Sequence, residues 1–249
     1  PLGSGRRVGI AKGAGMIEPN CATMLVYLLT DVSADRGLFR DSLRDACSVS
    51  FNRISIDGDQ STSDTVLGFS SCLKPAVPEA DLRGAIASVC GALAEDIVRN
   101  GEGTHHVIRV DVDGAESEEE GVGVARRVVN SPLVKTAVFG NDPNVGRLIM
   151  AIGDWFGGRG IPLDPDRVAI SIGGREVYRE GGFVIDKPLE DTLSAYLKDR
   201  FIDPGTDRFP RHDKTVDIRV SLGRGRADAW VLGSDLSYDY VKENADYRS

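Results

Sequence analysis

Few residues in this chain could do chemistry. Its three histidines stand at 105, 106 and 212, and no Gly-x-Ser-x-Gly motif accompanies them. His105-His106 opens an expected strand, where adjacent side chains point to opposite faces. They are ill placed to share a metal and read as surface and partly buried strand residues. Asp57, Asp59 and Asp64 crowd a turn rich in Gly, Ser and Thr. Their spacing lacks the closing glutamate of a calcium loop, so a structured turn is expected. Asp111, Asp113, Glu116, Glu118, Glu119 and Glu120 form a charge run that reads as a solvated face. Gly13-Ala14-Gly15 and Gly121-Val122-Gly123 lack the strand-to-helix context of a dinucleotide fingerprint and read as turn and packing glycines.

The remaining candidate is Thr23. It heads the apolar run Met24-Leu25-Val26-Tyr27-Leu28-Leu29 and follows the approach Lys12-Gly13-Ala14-Gly15-Met16-Ile17-Glu18-Pro19-Asn20-Cys21-Ala22. A side-chain hydroxyl is a weak nucleophile until a base stands beside it. If the chain breaks before Thr23, its own α-amine becomes that base, with an unperturbed pKa of about 7.7–8.0. From the residue alone two readings stay open: an N-terminal nucleophile, or a β-branched strand residue.

The elements around these residues follow from periodicity. Thr23 to Thr30 reads as a buried strand and Thr65 to Ser70 as another. Ser33 is the expected N-cap of a helix reaching about Arg53. Pro78 opens the clearest helix, with Leu82, Ile86, Val89, Leu93 and Ile97 on one stripe and Asn100-Gly101 at its end. Thr104 to Val112 alternates as a strand, and Ser117 begins a helix with acids in its first turn. Asp142-Pro143 reads as an N-cap and first-turn proline for a helix over Val145 to Ile152. Val168 to Ile172 is a strand and Pro188 to Phe201 a helix. Thr215 to Leu222 and Ala227 to Leu232 are expected to form a hairpin through Gly223-Arg224-Gly225. A terminal helix is expected over Leu236 to Ala245.

The chain has 249 residues, 41% hydrophobic and 27% charged, with a formal net charge of −8. That balance supports a folded core and excludes disorder as the main state. No apolar run approaches the roughly 18–20 residues needed to span a bilayer. The acidic charge argues against a nucleic-acid surface. Four cysteines without a C-x-x-C pair argue against a disulfide scaffold and a zinc site, so no metal is expected. Pro1 to Ser4 read as the scar of a removed purification tag. Residues 5–105 are expected to form the nucleophile-bearing part and 106–249 a C-terminal lobe. No signal peptide pattern is present, and a cytoplasmic location is expected.

The segment Gly9-Ile10-Ala11-Lys12-Gly13-Ala14-Gly15-Met16-Ile17-x-Pro19-Asn20-x-Ala22-Thr23-Met24-Leu25 closely resembles the self-cleavage region of ornithine acetyltransferases, the glutamate N-acetyltransferases of arginine biosynthesis. The resemblance continues through Asp57-Gly58-Asp59-x-Ser61-Thr62-Ser63-Asp64-Thr65-Val66. It resumes at Ser131-Pro132-Leu133-Val134-Lys135-Thr136-Ala137-Val138-Phe139-Gly140 and Asp142-Pro143-Asn144-x-Gly146-Arg147. It closes on Asp235-Leu236-Ser237-Tyr238-Asp239-Tyr240-Val241-x-x-Asn244-Ala245-x-Tyr247. It therefore runs from about residue 8 to 249, as a β chain plus the end of an α chain.

The resemblance implies an α+β fold: part of an αββα sandwich of the N-terminal-nucleophile type, with a C-terminal α/β lobe. It implies self-cleavage between Ala22 and Thr23, with Thr23 then taking the acetyl group. Lys12, Thr23, Glu102, Asn244 and Ser249 match substrate-binding positions. The implied substrates are N-acetylornithine and glutamate, with acetyl-CoA as a co-substrate if the enzyme is bifunctional and no other cofactor. The implied partner is the α chain of the same precursor, in an αβ hetero-oligomer. The family's oxyanion donors lie largely in a Thr-Gly pair of that α segment, which is not in this sequence. Two alternatives use the same residues: an amidase or aminopeptidase with an N-terminal nucleophile, or an inactive binding fragment lacking the α segment.

Overall fold

The computed structural model describes residues 2–18, 24–203 and 214–246. Two compact units divide the chain, Pro1–Gly101 and Glu102–Ser249.

The first unit begins with strand β1 (Arg7–Lys12) and strand β2 (Leu25–Val32), then helix α1 (Arg36–Ser48) and a short strand β3 (Ile54–Ser55). Strand β4 (Thr65–Lys74) and helix α2 (Glu79–Arg99) complete it. β1 pairs antiparallel with β2, and β4 pairs parallel with the other edge of β2. The two helices pack on one face of this sheet. A Cβ on Gly9 would stand 2.4 Å from Val89 Cγ1, and one on Gly68 2.4 Å from Phe39 Cε1. Glycine at both positions lets helix and strand approach.

The opposite face is apolar and open. Register places Ile10 beside Tyr27 and Val8 beside Leu29, then Tyr27 beside Leu67 and Leu29 beside Phe69. These six side chains are 38–53% exposed. Lys12 ends β1 on the same face by strand alternation, opposite Leu25.

α1 starts later and stops earlier than its sequence suggested. Asp35, not Ser33, is the N-cap, accepting from the Leu38 N–H at 2.9 Å. Ser33 belongs to the strand edge, where its N–H donates to the Lys74 carbonyl at 2.9 Å. The helix ends at Ser48 because serine hydroxyls compete for its last carbonyls: Ser48 Oγ donates to Asp45 O and Ser50 Oγ to Ala46 O. A 3-10 turn over Phe51–Arg53 then buries Phe51.

The second unit opens with β5 (Val107–Ala115) and helices α3 (Glu118–Val129), α4 (Pro132–Phe139) and α5 (Val145–Gly157). Strands β6 (Ala169–Ile172), β7 (Arg175–Arg179) and β8 (Gly182–Phe183) precede helix α6 (Lys187–Asp199). Strands β9 (Val216–Ser221) and β10 (Ala227–Ser234) and helix α7 (Tyr238–Asp246) follow. Within this unit the strand order is β10-β5-β9-β6-β7-β8. Its core joins Ile108, Val110 and Val112 of β5 to Val124 and Val128 of α3, Ile152 and Phe156 of α5, and Ile218 of β9.

Three expectations change here. β9 and β10 do not form a hairpin. β9 lies parallel to one edge of β5 and β10 antiparallel to the other. The connecting Arg224 and Gly225 N–H groups both donate to the Gly114 carbonyl, so the tripeptide wraps the end of β5. α5 is capped by Asn144, whose Oδ1 accepts from Arg147 N at 3.2 Å, while Asp142 accepts from the Asn144 side chain. Glu120 of the expected solvated run is buried, because its carboxylate accepts from the Glu116 N–H and Arg224 Nε.

The segment after β10 is tied to the segment before β5 by one carboxylate. Asp235 Oδ1 accepts from the His105 N–H at 2.9 Å, and Oδ2 lies 2.7 Å from His106 Nδ1. Both the Asp235 and His106 side chains are fully buried, and His106 Nε2 lies 3.2 Å from the Leu197 carbonyl. The histidine pair is therefore interior, not surface. β5 starts only at Val107, so His105 and His106 precede the ladder and turn their rings to these partners. Asp235→Ala leaves His106 without its acid and the His105 N–H without its acceptor. A loss of about 3 kcal/mol in unfolding free energy is expected, read as a lowered urea midpoint. Asp235→Asn, which keeps the acceptor for His105, should lose less.

Candidate active site

In the first unit the residues of interest lie on the excursion between β1 and β2. Its base is closed by the pairing of Lys12 with Leu25. Ala22 and Thr23 lie outside the described residues, but the chain on both sides of them is held. Before them, Met16 N and Ile17 N donate to the two oxygens of Asp57 at 2.6 and 3.0 Å. Ile17 is fully buried, and its carbonyl accepts from Ile56 N at 2.7 Å. Glu18 accepts from Ser55 Oγ at 3.1 Å. After them, the Met24 N–H donates to Asp64, and the Met24 carbonyl accepts from Thr65 N at 2.7 Å.

Met16 has a positive φ of 55°, a sparsely populated conformation for a side chain of this size. The Asp57 carboxylate, bonded to two successive N–H groups there, offsets that cost. Asp57 and Asp64 thus fix the ends of the excursion through main-chain donors, which sets backbone position independently of side-chain identity. The turn was legible in the sequence, but its job was not. The missed signal is a pair of acids bracketing a Gly/Ser/Thr turn just before a strand, with one of them, Asp64, only 9% exposed.

In the second unit Glu102 and Asn244 meet: Asn244 Nδ2 donates to Glu102 Oε2 at 3.0 Å and to the Tyr240 carbonyl at 3.0 Å. Gly103 makes the meeting possible. Its φ is +58°, and a Cβ there would lie 2.1 Å from Tyr240 N, so no side chain fits between this strand approach and α7. Ser237 Oγ donates to the Gly103 carbonyl at 2.6 Å and accepts from Tyr240 N at 3.1 Å, capping the helix. His105 Nε2 lies 2.8 Å from Asp239 Oδ2, and the Phe201 ring stacks on His105 at 4.8 Å. Lys135, buried in α4, donates to the Ser234 carbonyl at 2.6 Å. Ser249 lies outside the described residues. Neither Lys135 nor Asp235 carries a local site signal in the sequence, because the partner of the first is 99 residues away and those of the second are 129 and 130. Among the described residues no group of three or more His, Cys, Asp or Glu side chains could hold a metal ion.

The ArgJ family matches residues 4–249. The arginine biosynthesis bifunctional protein ArgJ of Wolinella succinogenes is 38% identical over 96% of this chain and 56% of its own length. The protein of the same name from Zymomonas mobilis is 39% identical over 98% of this chain and 57% of its own. The chain therefore spans little more than half the length of these relatives. The crystal structure of the arginine biosynthesis bifunctional protein argJ from Bacillus halodurans matches with a TM-score of 0.74 at 34% identity, covering 87% of this chain and 96% of that one. The mixed α+β fold with two sheets is the fold of that structure. Among the described residues no helix is long and apolar enough to cross a membrane. By family match, relatives and fold, this chain belongs to the ArgJ family.

Proposed function

We propose that this chain carries the nucleophile of a glutamate N-acetyltransferase, which moves an acetyl group from N-acetylornithine to glutamate through acetyl-Thr23. The observation that supports this most directly is the pinning of the chain on both sides of Ala22-Thr23 by Asp57 and Asp64. A bond that must break at one position needs its flanking backbone held, and acyl transfer needs the freed hydroxyl held where the cut leaves it.

After cleavage the Thr23 α-amine takes the proton from Oγ as Oγ attacks the acetyl carbonyl. The proton passes to the departing amine of ornithine, leaving an acetyl ester on Thr23. The glutamate amine then attacks the ester, N-acetylglutamate leaves, and the proton returns to Oγ. Splitting one amide exchange into two ester steps lowers each barrier. Lys12 and the Glu102–Asn244 pair bind substrate in this reading, with Ser249. The α segment of the same precursor covers the open apolar face of Val8, Ile10, Tyr27, Leu29, Leu67 and Phe69, and supplies the oxyanion donors. An apolar face of that extent favours such a partner. Acetyl-CoA is a co-substrate in this reading if the enzyme is bifunctional. A cytoplasmic location completes the reading.

The test is mass spectrometry on this chain combined with its α segment. Incubation with N-acetylornithine should add one acetyl group to the fragment beginning at Thr23, and glutamate should discharge it as N-acetylglutamate. Thr23→Ala should neither cleave nor acquire the group. A cleaved complex that takes up no acetyl overturns the reading, and acetate released without glutamate points instead to the hydrolase alternative.

Asp64→Ala should slow the appearance of the Thr23 fragment on a denaturing gel by roughly 100-fold, the cost of about 1 Å of misplacement. Asp64→Asn, which keeps an acceptor for Met24, should lose less. Asn244→Ala should raise KM for the amino-acid substrates by about 10-fold with a smaller change in kcat, the signature of lost ground-state binding. Steady-state kinetics read both parameters.

A further inference from the structure

Helix α7 carries Asn244, yet it has no buried residue. A helix without a buried face is placed by polar contacts rather than by packing. One of these contacts reaches its first turn from outside the helix: His105 Nε2 lies 2.8 Å from Asp239 Oδ2. The other ring nitrogen, Nδ1, lies 3.2 Å from the Ile202 carbonyl. A carbonyl and an ionised carboxylate only accept, whereas a neutral imidazole has a single N–H. Assigned from these partners, the ring meets both only as the imidazolium, with each nitrogen donating.

We propose that His105 is a positioning residue of the substrate site: its Nε2–H holds the first turn of α7 so that Asn244 stands against Glu102. The base from which the ring reaches is fixed on three sides. The His105 N–H donates to Asp235 Oδ1 at 2.9 Å, its carbonyl accepts from Ile202 N at 2.8 Å, and the Phe201 ring stacks on it with the planes 9° apart. Asp235 is itself held by His106. The Nε2 arm thus extends from a rigid frame to a helix that has few other anchors. Asp239 and Asn244 lie on the same helix, about 7.5 Å apart along its axis, so fixing one fixes the other. The proposal rests on the substrate role given above to Asn244 and Glu102.

The two arms of the ring can be separated by substitution. The amide nitrogen of asparagine falls near the place of Nδ1, and that of glutamine near the place of Nε2. His105→Asn therefore keeps the donor to Ile202 and loses the one to Asp239, while His105→Gln does the reverse. A ring that only fills space beside Phe201 makes no such distinction. Asp239, whose side chain is 60% exposed against 11% for His105, can be changed with little risk to the core.

The test uses the full chain with its α segment and reads amide hydrogen exchange alongside steady-state kinetics. His105→Ala, His105→Asn and Asp239→Ala should each speed exchange across α7 by about 10-fold and leave α3 unchanged. They should raise KM for glutamate by about 10-fold with a much smaller change in kcat. His105→Gln should restore both quantities most of the way. Equal behaviour of the Asn and Gln variants overturns the proposal, as does unchanged α7 exchange in Asp239→Ala. A fall in kcat at constant KM overturns it too, because the ring then acts on the chemistry and not on α7. If the unsubstituted complex transfers no acetyl group, the function reading fails, and the order of exchange rates among the variants still decides whether His105 holds α7. Asp239→Ala keeps the test open if a His105 variant fails to fold.

Discussion

Carboxylates that accept main-chain N–H bonds do the positioning in this molecule. Asp57 holds Met16 and Ile17, Asp64 holds Met24, and Asp235 holds His105 while meeting the ring of His106. Charge-assisted bonds of this kind are stronger than neutral ones and directional. They also shed little entropy, because a short Asp side chain has few rotamers to lose. Each ties together stretches that are far apart in sequence, and each sits beside a residue the family resemblance marks. Buried apolar side chains give the two units their stability. The acids decide where particular atoms of the backbone stand.

Much of the local structure was legible because periodicity is a local property. The Leu82-to-Ile97 stripe became α2, and the acid-rich start after Ser117 became α3, with the Glu120 N–H donating to Ser117 Oγ at 3.1 Å. The failures share a cause. Ser33 and Asp35 are both good caps, and only the neighbouring strand, by claiming Ser33, decides between them. Val134 to Phe139 is too short and apolar for period alone to assign, and its helical state rests on the Ser131 cap and the proline after it. The hairpin expected across residues 223–225 failed because two strands joined by a short connection can still prefer a third strand between them. The burial of His106 depends on Asp235, 129 residues away, and no window along the chain contains both.

The first unit's sheet is asymmetric in a way composition hides. One face receives Val89, Leu93 and Phe39 against glycines, and the other presents Val8, Ile10, Tyr27, Leu29, Leu67 and Phe69 to the outside. A strand buried on both faces reads as a continuous apolar run, and one buried on a single face alternates. β2 reads as the former, Leu-Val-Tyr-Leu-Leu, while only Val26 and Leu28 of that run are buried. The sequence of β2 is thus written for two covered faces. Lys12, at the end of β1, sets a positive charge at the margin of this apolar field.

The placement of β5 between β9 and β10 has a consequence for synthesis. β5 emerges from the ribosome about a hundred residues before either neighbour exists, so this interior strand of the second unit's sheet must wait unpaired while α3 to α6 are made. Helices can gather on its inner face during that time, but its ladder groups stay open on both edges, a state prone to pairing with other chains. Closure comes only when β9 and β10 arrive and dock on either side, long-range pairings that fold slowly. The second unit should therefore complete its sheet at the end of translation and in a single cooperative step, with the last elements made serving as the lock.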